Sequence, residues 1–389
     1  HSVGMGTVSD MATSAPGYTS KRPNTAATIA EILRLNGYST AQFGKCHEVP
    51  SWEWNPMGPF DRWPTGSGFE HFYGFIGGET NQFYPSLIEG TSSVKPGKTP
   101  EQGYHFTEDI AEKALRWLSE QRSLMPDKPF FLYFATHDIH VPRVPHPRFV
   151  GKTSMGPRGD AIVQFDFQVG AILDALDAHG LTEDTLVIMS SDNGPVLNDG
   201  YKDQAVEKLG THRPAGPYRG HKYSAYEGGT RVPFLVRWPK RIKGGTQSAA
   251  LVSLVDLVAT SAALCGQSLA YGDAPDSMDL SAALLDPGTA GRASFIAEGA
   301  RMSVRDGVWK FIPANARKDG PKRPDTGRLG DPDAFVKGEQ DTGSWNVDQL
   351  YNTASDPCET HNLAGSQPER VAAMRAMLQN ARTAGRTRP

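Results

Sequence analysis

One stretch near the middle of the chain constrains the fold more than any other. Residues 186–189 are apolar, include Val and Ile, and have turn residues on both sides, which predicts a short strand buried on both faces of a parallel sheet. Asp192 and Asn193 follow, and Gly194-Pro195 forces a turn. Open α/β sheets bind ligands at the carboxyl ends of their strands. The two side chains are therefore candidate ligands of a hard cation, although Asp-Asn-Gly also commonly makes a plain turn.

Two other predicted strands end in polar residues. A strand predicted over 38–43 leads to Lys45 and His47. A strongly apolar strand, predicted over 129–135 as the most buried strand of the chain, leads to His137 and His140. If these strand ends share one sheet, the basic side chains meet the polar turn that follows residue 189.

Such a pocket suits a multiply oxygenated anion such as sulfate or phosphate. Lysines at 45 and 222 would act as point charges, a histidine would donate a proton, and a metal ion at Asp192 and Asn193 would polarise the ester. Each residue alone is equally compatible with a solvated turn or an exposed loop. The argument therefore depends on their convergence.

The helix and strand pattern indicates the fold class. Helices predicted over 24–36, 107–121 and 160–179 alternate with the strands, which is typical of a doubly wound, mostly parallel α/β sheet flanked by helices. Residues 1–22 have no period and are predicted to form a loop. A further helix is predicted over 251–264.

The pattern changes near residue 290. Short predicted strands alternate with turns from there on, and a helix is predicted over 368–381. We therefore predict a larger α/β domain over 1–290, which contains all the strand ends named above, and a smaller β-rich part with a terminal helix over 291–389.

Residues 48–105 contain no long periodic segment and are rich in aromatic residues, Gly and Pro. A segment of this kind is usually functional or disordered, and its aromatic content argues against disorder. Either these aromatics stack on an aryl or sugar group at the mouth of the pocket, or they are packing residues; they are Trp52, Trp54, Trp63, Phe72 and Tyr73.

Composition excludes several classes of function. The net charge is −3 with both signs mixed along the chain, so nothing indicates a nucleic-acid or membrane-surface partner. No apolar run approaches the roughly 18 residues that a membrane span needs. The three cysteines have no zinc-site spacing, and their odd number leaves at least one unpaired within the chain.

Five motifs in order resemble those of one enzyme family. Residues 37–47, Gly-Tyr-Ser-Thr-Ala-Gln-Phe-Gly-Lys-Cys-His, resemble the second sulfatase signature. The other four are a strand leading to His140-Val141-Pro142, then Ser191-Asp192-Asn193-Gly194, then Lys222 before residues 226–233, and a closing segment over 350–364. The sequence is thus similar to type I sulfatases of the alkaline-phosphatase-like superfamily.

The resemblance implies the chemistry and the role of each residue. Such enzymes hydrolyse sulfate esters of small molecules or saccharides with a formylglycine made from a Cys/Ser-x-Pro-x-Arg motif, beside Ca²⁺, with Mg²⁺ also possible. By matching position, Asp192 and Asn193 would bind the metal, and Lys45 and Lys222 the sulfate. His47 would hydrogen-bond the nucleophile region, and His140 would act with Lys222 on the leaving-group oxygen.

The sequence departs from the family pattern in two places. Cys46 stands where the family usually has an aromatic residue, and no cysteine is followed by Pro and Arg at the required offsets. Residues 366–370, Ser-Gln-Pro-Glu-Arg, fit the letters, but Ser366 precedes a predicted helix and is interpreted as its cap. The resemblance places the nucleophile and two metal-binding Asp residues upstream of His1. We therefore expect this chain to lack that segment and the first strand of the sheet, and to turn over little substrate alone.

Two alternatives remain open at this point. One is a phosphoester or phosphonate hydrolase of the same superfamily, and the other is a non-catalytic homologue that binds anions. The family resemblance also suggests a periplasmic or secreted protein. The sequence specifies neither the substrate nor the oligomeric state.

Overall fold

The computed structural model describes residues 21–299, 301–315 and 341–388. The loop predicted over 1–22 therefore lies outside the described residues except at its last two positions. Elements of the first half of the chain follow in this order: α1 (Ile29–Leu35), β1 (Ser39–Cys46), β2 (His71–Ile76), β3 (Ile88–Glu89), β4 (Ser92–Ser93), α2 (Phe106–Leu124), β5 (Phe130–Ala135), α3 (Gly156–Ala178) and β6 (Val187–Ser190).

The second half of the chain contains shorter elements. They are α4 (Glu227–Thr230), β7 (Phe234–Arg237), α5 (Leu257–Leu264), α6 (Ser281–Leu285), β8 (Ser294–Glu298), β9 (Met302–Asp306), β10 (Trp309–Ile312), β11 (Gln349–Asn352) and α7 (Pro368–Ala384). Within the described ranges, no helix is both long enough and apolar enough to cross a membrane.

The largest sheet has five strands in the order β4-β3-β2-β1-β5. β1 pairs in parallel with β2 on one side and with β5 on the other, whereas β3 and β4 are antiparallel. Helix α2 covers this sheet, since Ile110 and Trp117 share a buried cluster with Phe43 and Phe75. The predicted mostly parallel sheet flanked by helices is confirmed.

The sequence pattern missed β2, which lies inside the segment 48–105. Phe72 and Tyr73 are buried in the core, and so is Trp63. A Cβ at Gly74 would lie 1.8 Å from the carbonyl oxygen of Gly44, so the glycine that interrupts the apolar pattern is required by the close approach of two strands. These three aromatics are packing residues, and only Trp52 and Trp54 of the predicted set are exposed.

Strand β6 does not lie in the sheet of β1 in the described part of the chain. It pairs antiparallel with β7 as a separate two-stranded sheet. Both β5 and β6 are only partly buried, and Tyr133 of β5 is 43 % exposed. The expectation that both strands are fully buried was therefore wrong, because β5 pairs with β1 alone among the described residues.

A four-stranded antiparallel sheet forms near the carboxyl end of the chain. Its order is β11-β10-β9-β8, and helix α7 packs on it through Met374 and Leu378. This is the predicted β-rich part with a terminal helix, while the exact boundary at residue 290 stays a prediction. The cap predicted for Ser366 is not observed, because Gln367 occupies the cap position and the Ser366 hydroxyl donates to the carbonyl of Leu363 at 3.1 Å.

Buried charges connect the four-stranded sheet to helix α4. Lys310 of β10 lies 3.0 Å from one carboxylate oxygen of Glu227 and 3.6 Å from Glu359. Arg305 of β9 lies 3.1 Å from the other oxygen of Glu227. Because α4 follows the loop of Lys222 directly, the ion pairs hold that loop in position.

Candidate active site

The first part of the site lies at the carboxyl end of β1, where Gly44 precedes Lys45. Gly44 has a φ of +105°, and a Cβ there would lie 2.0 Å from the carbonyl oxygen of Ala135. Lys45 is half-buried, and the amide of Gln42 donates to its carbonyl at 3.1 Å. Glycine at position 44 therefore lets β1 and β5 approach closely and holds Lys45 at their shared end.

Replacing Gly44 with alanine is expected to lower the free energy of unfolding by roughly 3 kcal/mol, because both the positive φ and the clash with Ala135 must be relieved. Gly37→Ala is the matched control, since Gly37 also has a positive φ but open space around the added Cβ. We expect it to cost only about 1 kcal/mol. Urea denaturation of both variants checks this, and equal losses would mean that the contact at Gly44 is unimportant.

The second part of the site follows β5, whose last residue pairs with Gly44. The rings of His137 and His140 stack with their centroids 5.4 Å apart. His137 is fully buried, and the amide nitrogen of Gln82 lies 3.4 Å from its Nδ1. Burial, together with the nearby His140 and Lys45, lowers the pKa of His137 to about 3, so the ring is neutral at neutral pH.

The third part joins the turn after β6 to the loop of Lys222. The backbone N–H of Lys222 donates to the carbonyl of Pro195 at 2.9 Å, and that of Gly194 donates to Gly229 at 3.0 Å. A Cβ at Gly194 would lie 1.9 Å from the carbonyl oxygen of Gly228. Only glycine permits this contact, and the two segments form one rigid unit.

Lys222 reaches from this unit to His140. Its Nζ lies 3.4 Å from His140 Nε2, while His140 Nδ1 lies 2.7 Å from the carbonyl oxygen of Val141. A carbonyl can only accept, so Nδ1 carries the proton and Nε2 accepts from the Lys222 ammonium. Burial and the charges of Lys45 and Lys222 lower the pKa of His140, which keeps this tautomer neutral.

Asp192 and Asn193 were predicted to bind a metal. Asp192 is exposed, and one of its carboxylate oxygens accepts from the backbone N–H of Asn193 at 2.9 Å. The Asn193 amide nitrogen donates to Gly194, which leaves the amide oxygen as the group available to a cation. These are the donor types that Ca²⁺ and Mg²⁺ prefer, but Ca²⁺ takes roughly six to eight oxygens. In the described part of the chain, no cluster of three or more acidic, His or Cys residues could complete such a site.

Three of the predicted residues act electrostatically on the imidazole ring of a fourth. Lys45, Lys222 and Asp192 each influence the pKa of His140 electrostatically. His47 is exposed and lies at the same end of the sheet, where a Cβ on Gly78 would contact its ring at 2.8 Å. The structure therefore brings Lys222 and His140 into contact, while the convergence of the whole predicted set on Asp192 and Asn193 stays a prediction.

Sequence reasoning missed two residues of the site. Arg143 is buried, forms an ion pair with Asp203, and donates to the carbonyl of Val196 at 2.7 Å, which ties the His140 loop to the loop after β6. Asp199 lies 3.5 Å from Lys222 Nζ. Neither residue lies in a recognisable motif. Asp199 belongs to an Asn-Asp-Gly stretch, which is typical of an ordinary turn.

Cys46, the cysteine beside the predicted site, does not have the environment of a nucleophile. All three cysteines of the chain are free, and Cys46, which stands beside Lys45, is buried with a raised pKa because burial disfavours the thiolate. Ser366 lies at the start of α7, on the C-terminal sheet. Neither Cys46 nor Ser366 is therefore placed to act as the nucleophile beside Lys222 and His140.

The comparison with known proteins decides which family this pocket represents. The family model described as Sulfatase matches residues 1–267. The chain belongs to the sulfatase family. The match covers the strand ends that carry Lys45, His140, Asp192 and Lys222.

Individual relatives agree with the assignment. This sulfatase is 42 % identical over 260 residues to the N-acetylgalactosamine-6-O-sulfatase of Bacteroides thetaiotaomicron, a match covering 66 % of this chain and 48 % of that relative. It is 30 % identical over 396 residues to human arylsulfatase A, covering 91 % and 71 % of the two chains. The chain therefore spans about half the length of the first relative.

A solved structure shows the same fold. It was determined in connection with the metabolism of multiple glycosaminoglycans by Bacteroides thetaiotaomicron, and it matches this sulfatase with a TM-score of 0.77 and 32 % identity. The match covers 93 % of this chain and 83 % of the other.

Proposed function

We propose that the protein hydrolyses the sulfate ester of a saccharide, with the sulfate group held between Lys45 and Lys222. The observation that carries the proposal is that Lys222 Nζ lies 3.4 Å from His140, while Lys45 follows Gly44, which pairs with the last residue of the strand that leads to His140. The negative charge of a sulfate ester is spread over three oxygens, and two point cations with hydrogen-bond donors neutralise it. Membership of the sulfatase family supports sulfate as the anion.

The geometry also supports a division of roles at the leaving group. Cleavage of a sulfate ester releases an alkoxide, which needs a proton as the bond breaks. His140 is neutral with Nε2 facing the ammonium of Lys222, so Lys222 is the group that carries a proton at this point. We assign proton donation to Lys222, orientation of that ammonium to His140, and contact with the nucleophile region to His47.

Two further components of the reaction are proposals from the family. Asp192 and Asn193 are assigned as part of a Ca²⁺ site, with Mg²⁺ as the alternative, and two oxygen donors alone bind such an ion weakly. The nucleophile is assigned to a formylglycine on a segment other than those described. A cation at this position supplies charge neutralisation, and the roles of the two lysines do not depend on it.

The saccharide class is proposed from the names of the relatives. The similar Bacteroides protein is named for N-acetylgalactosamine 6-sulfate, and the similar structure is associated with glycosaminoglycans. We therefore propose a sulfated amino sugar as the substrate.

The direct test measures sulfate released from N-acetylgalactosamine 6-sulfate. We expect release by a chain extended upstream to include a Cys/Ser-x-Pro-x-Arg motif, and at least about 100-fold less from the 389-residue chain, because a nucleophile contributes a large part of the rate. The 6-phosphate ester is the matched control. Faster release of phosphate than of sulfate would reject the proposal, and equal activity of the two chains would show that the nucleophile lies within this sequence.

A further inference from the structure

Asp199 contacts Lys222, one of the two lysines assigned to the sulfate group. Its carboxylate lies 3.5 Å from Lys222 Nζ and accepts a hydrogen bond from the hydroxyl of Tyr223 at 3.1 Å. His140 Nε2 lies 3.4 Å from the same Nζ. The ammonium group that faces the leaving oxygen therefore contacts an imidazole and a carboxylate.

The charge of Asp199 determines how an ester lies in the pocket. The sulfate group is negative and is repelled by a carboxylate, so it lies toward Lys45 and His140. The alcohol portion of the ester then faces Asp199. A neutral sugar suits this position, because its hydroxyl and amide groups donate hydrogen bonds that a carboxylate accepts.

Tyr223 supports the placement of the sugar beside Asp199. It is 47 % exposed and has a φ of +75°, a conformation that a bulky residue rarely adopts. The backbone bonds of Lys222 to Pro195 and of Ser224 to His221 hold it there. Strained residues that the surrounding structure maintains are concentrated at functional sites. The centroid of the Tyr223 ring lies 5.1 Å from Lys222 Nζ, and at this position the ring can cover one face of a sugar.

We propose that Asp199 is a specificity-determining residue that selects a sugar carrying one sulfate and rejects a sugar carrying a second anionic group next to the scissile ester. This inference rests on the proposed function, since it assumes that the sulfate occupies the lysine pair. The selection works by repulsion, because a second sulfate or a carboxylate on the sugar would face Asp199 directly.

Calorimetric titration of the 389-residue chain tests the proposal with three ligands: inorganic sulfate, N-acetylgalactosamine 6-sulfate and N-acetylgalactosamine 4,6-disulfate. We expect the wild-type protein to bind the monosulfated sugar at least about fivefold more tightly than the disulfated one, given the like-charge contact. In Asp199→Asn this ratio should fall to within about twofold. Asp184→Asn is the matched control, because Asp184 also pairs with a lysine but lies exposed at the opposite end of β6.

A second variant is expected to change the ratio of affinities for the monosulfated and the disulfated sugar in the opposite direction. Tyr223→Phe removes a hydrogen-bond donor that partly compensates the charge of the Asp199 carboxylate, so the carboxylate should repel a second anionic group more strongly and the preference for the monosulfated sugar should increase. This variant also keeps the proposal testable if Asp199→Asn does not fold.

Three results would overturn the inference. If Asp199→Asn keeps the wild-type ratio, Asp199 does not face the sugar. If the affinities for all three ligands change by one common factor, Asp199 only positions Lys222. If the wild-type chain binds none of the three ligands, the lysine pair does not hold sulfate, and the proposed function fails together with the specificity of Asp199.

Discussion

Glu227→Gln is expected to lower the free energy of unfolding by about 3 to 5 kcal/mol, because it leaves a buried charge without its partner. The side chain of Lys310 is 2 % exposed and lies 3.0 Å from Glu227. Burial alone would raise the pKa of Glu227, but Lys310, Arg305 and Arg231 together lower it to about 2. Urea denaturation followed by circular dichroism measures the loss.

The chain provides a matched control at the same lysine. Glu359 lies 3.6 Å from Lys310, and burial raises its pKa to about 7, so roughly half of this carboxyl is protonated at neutral pH in the folded protein. Glutamine resembles the protonated form and still accepts from the backbone N–H of Glu227. We therefore expect Glu359→Gln to cost less than about 1 kcal/mol. Equal losses in the two variants would contradict the assigned charges.

The pH dependence of the Glu227 effect has a definite sign. The pKa of Glu227 in the folded protein, about 2, lies below the ordinary value of 4.5. Its stabilising contribution is therefore complete above about pH 4.5 and is lost as the pH falls toward 2. The difference in stability between wild type and Glu227→Gln should shrink across that window, and a difference that stays constant would show that Glu227 is not ionised in the folded state.

Lys222→Ala is expected to weaken the binding of inorganic sulfate by roughly 10- to 100-fold, which corresponds to about 1.4 to 2.8 kcal/mol. The lysine is half-buried beside a neutral His140, so water screens its charge only in part. In a chain that carries the nucleophile, the rate of ester hydrolysis should fall by roughly 10² to 10⁴, because the proton donor is lost as well.

Two controls separate charge from chemistry at this position. Lys202→Ala removes an exposed lysine from the preceding loop and should leave sulfate binding unchanged. Lys222→Arg keeps the positive charge, but guanidinium cannot release its proton, so it should retain much of the binding and lose hydrolysis. Calorimetry and sulfate release measure the two properties. Unchanged sulfate affinity in Lys222→Ala would place the anion elsewhere.

Local patterns in the sequence predict many elements of this protein. The apolar run of β5 and the helical spacing of α2 and α3 depend on neighbouring residues, so they are visible without the fold. Gly37, which follows α1 and the residue after it, has a positive φ, a backbone conformation that favours glycine and ends a helix. Lys45, His140, Asp192 and Lys222 were predictable because each follows a strand or stands in a motif of the family.

Long-range contacts account for the predictions that failed. Gly74 interrupts the apolar pattern of β2 because the backbone of Gly44 approaches it, and these residues are thirty positions apart. The burial of β5 and β6 depends on which strands lie beside them, and β6 pairs with β7, which comes more than forty residues later. Trp63 is a core residue for the same reason, since other segments cover it.

The sequence alone determined many of the helices and strands, the family and the side chains that carry the charge of the site. Only the tertiary structure decided how those charges act on each other. The neutral state of His140 follows from a carbonyl on one side and Lys222 on the other, and the contact of Asp199 with Lys222 joins residues 23 positions apart. Electrostatic effects depend on distance and burial in the folded chain, and no pattern of neighbouring residues encodes either.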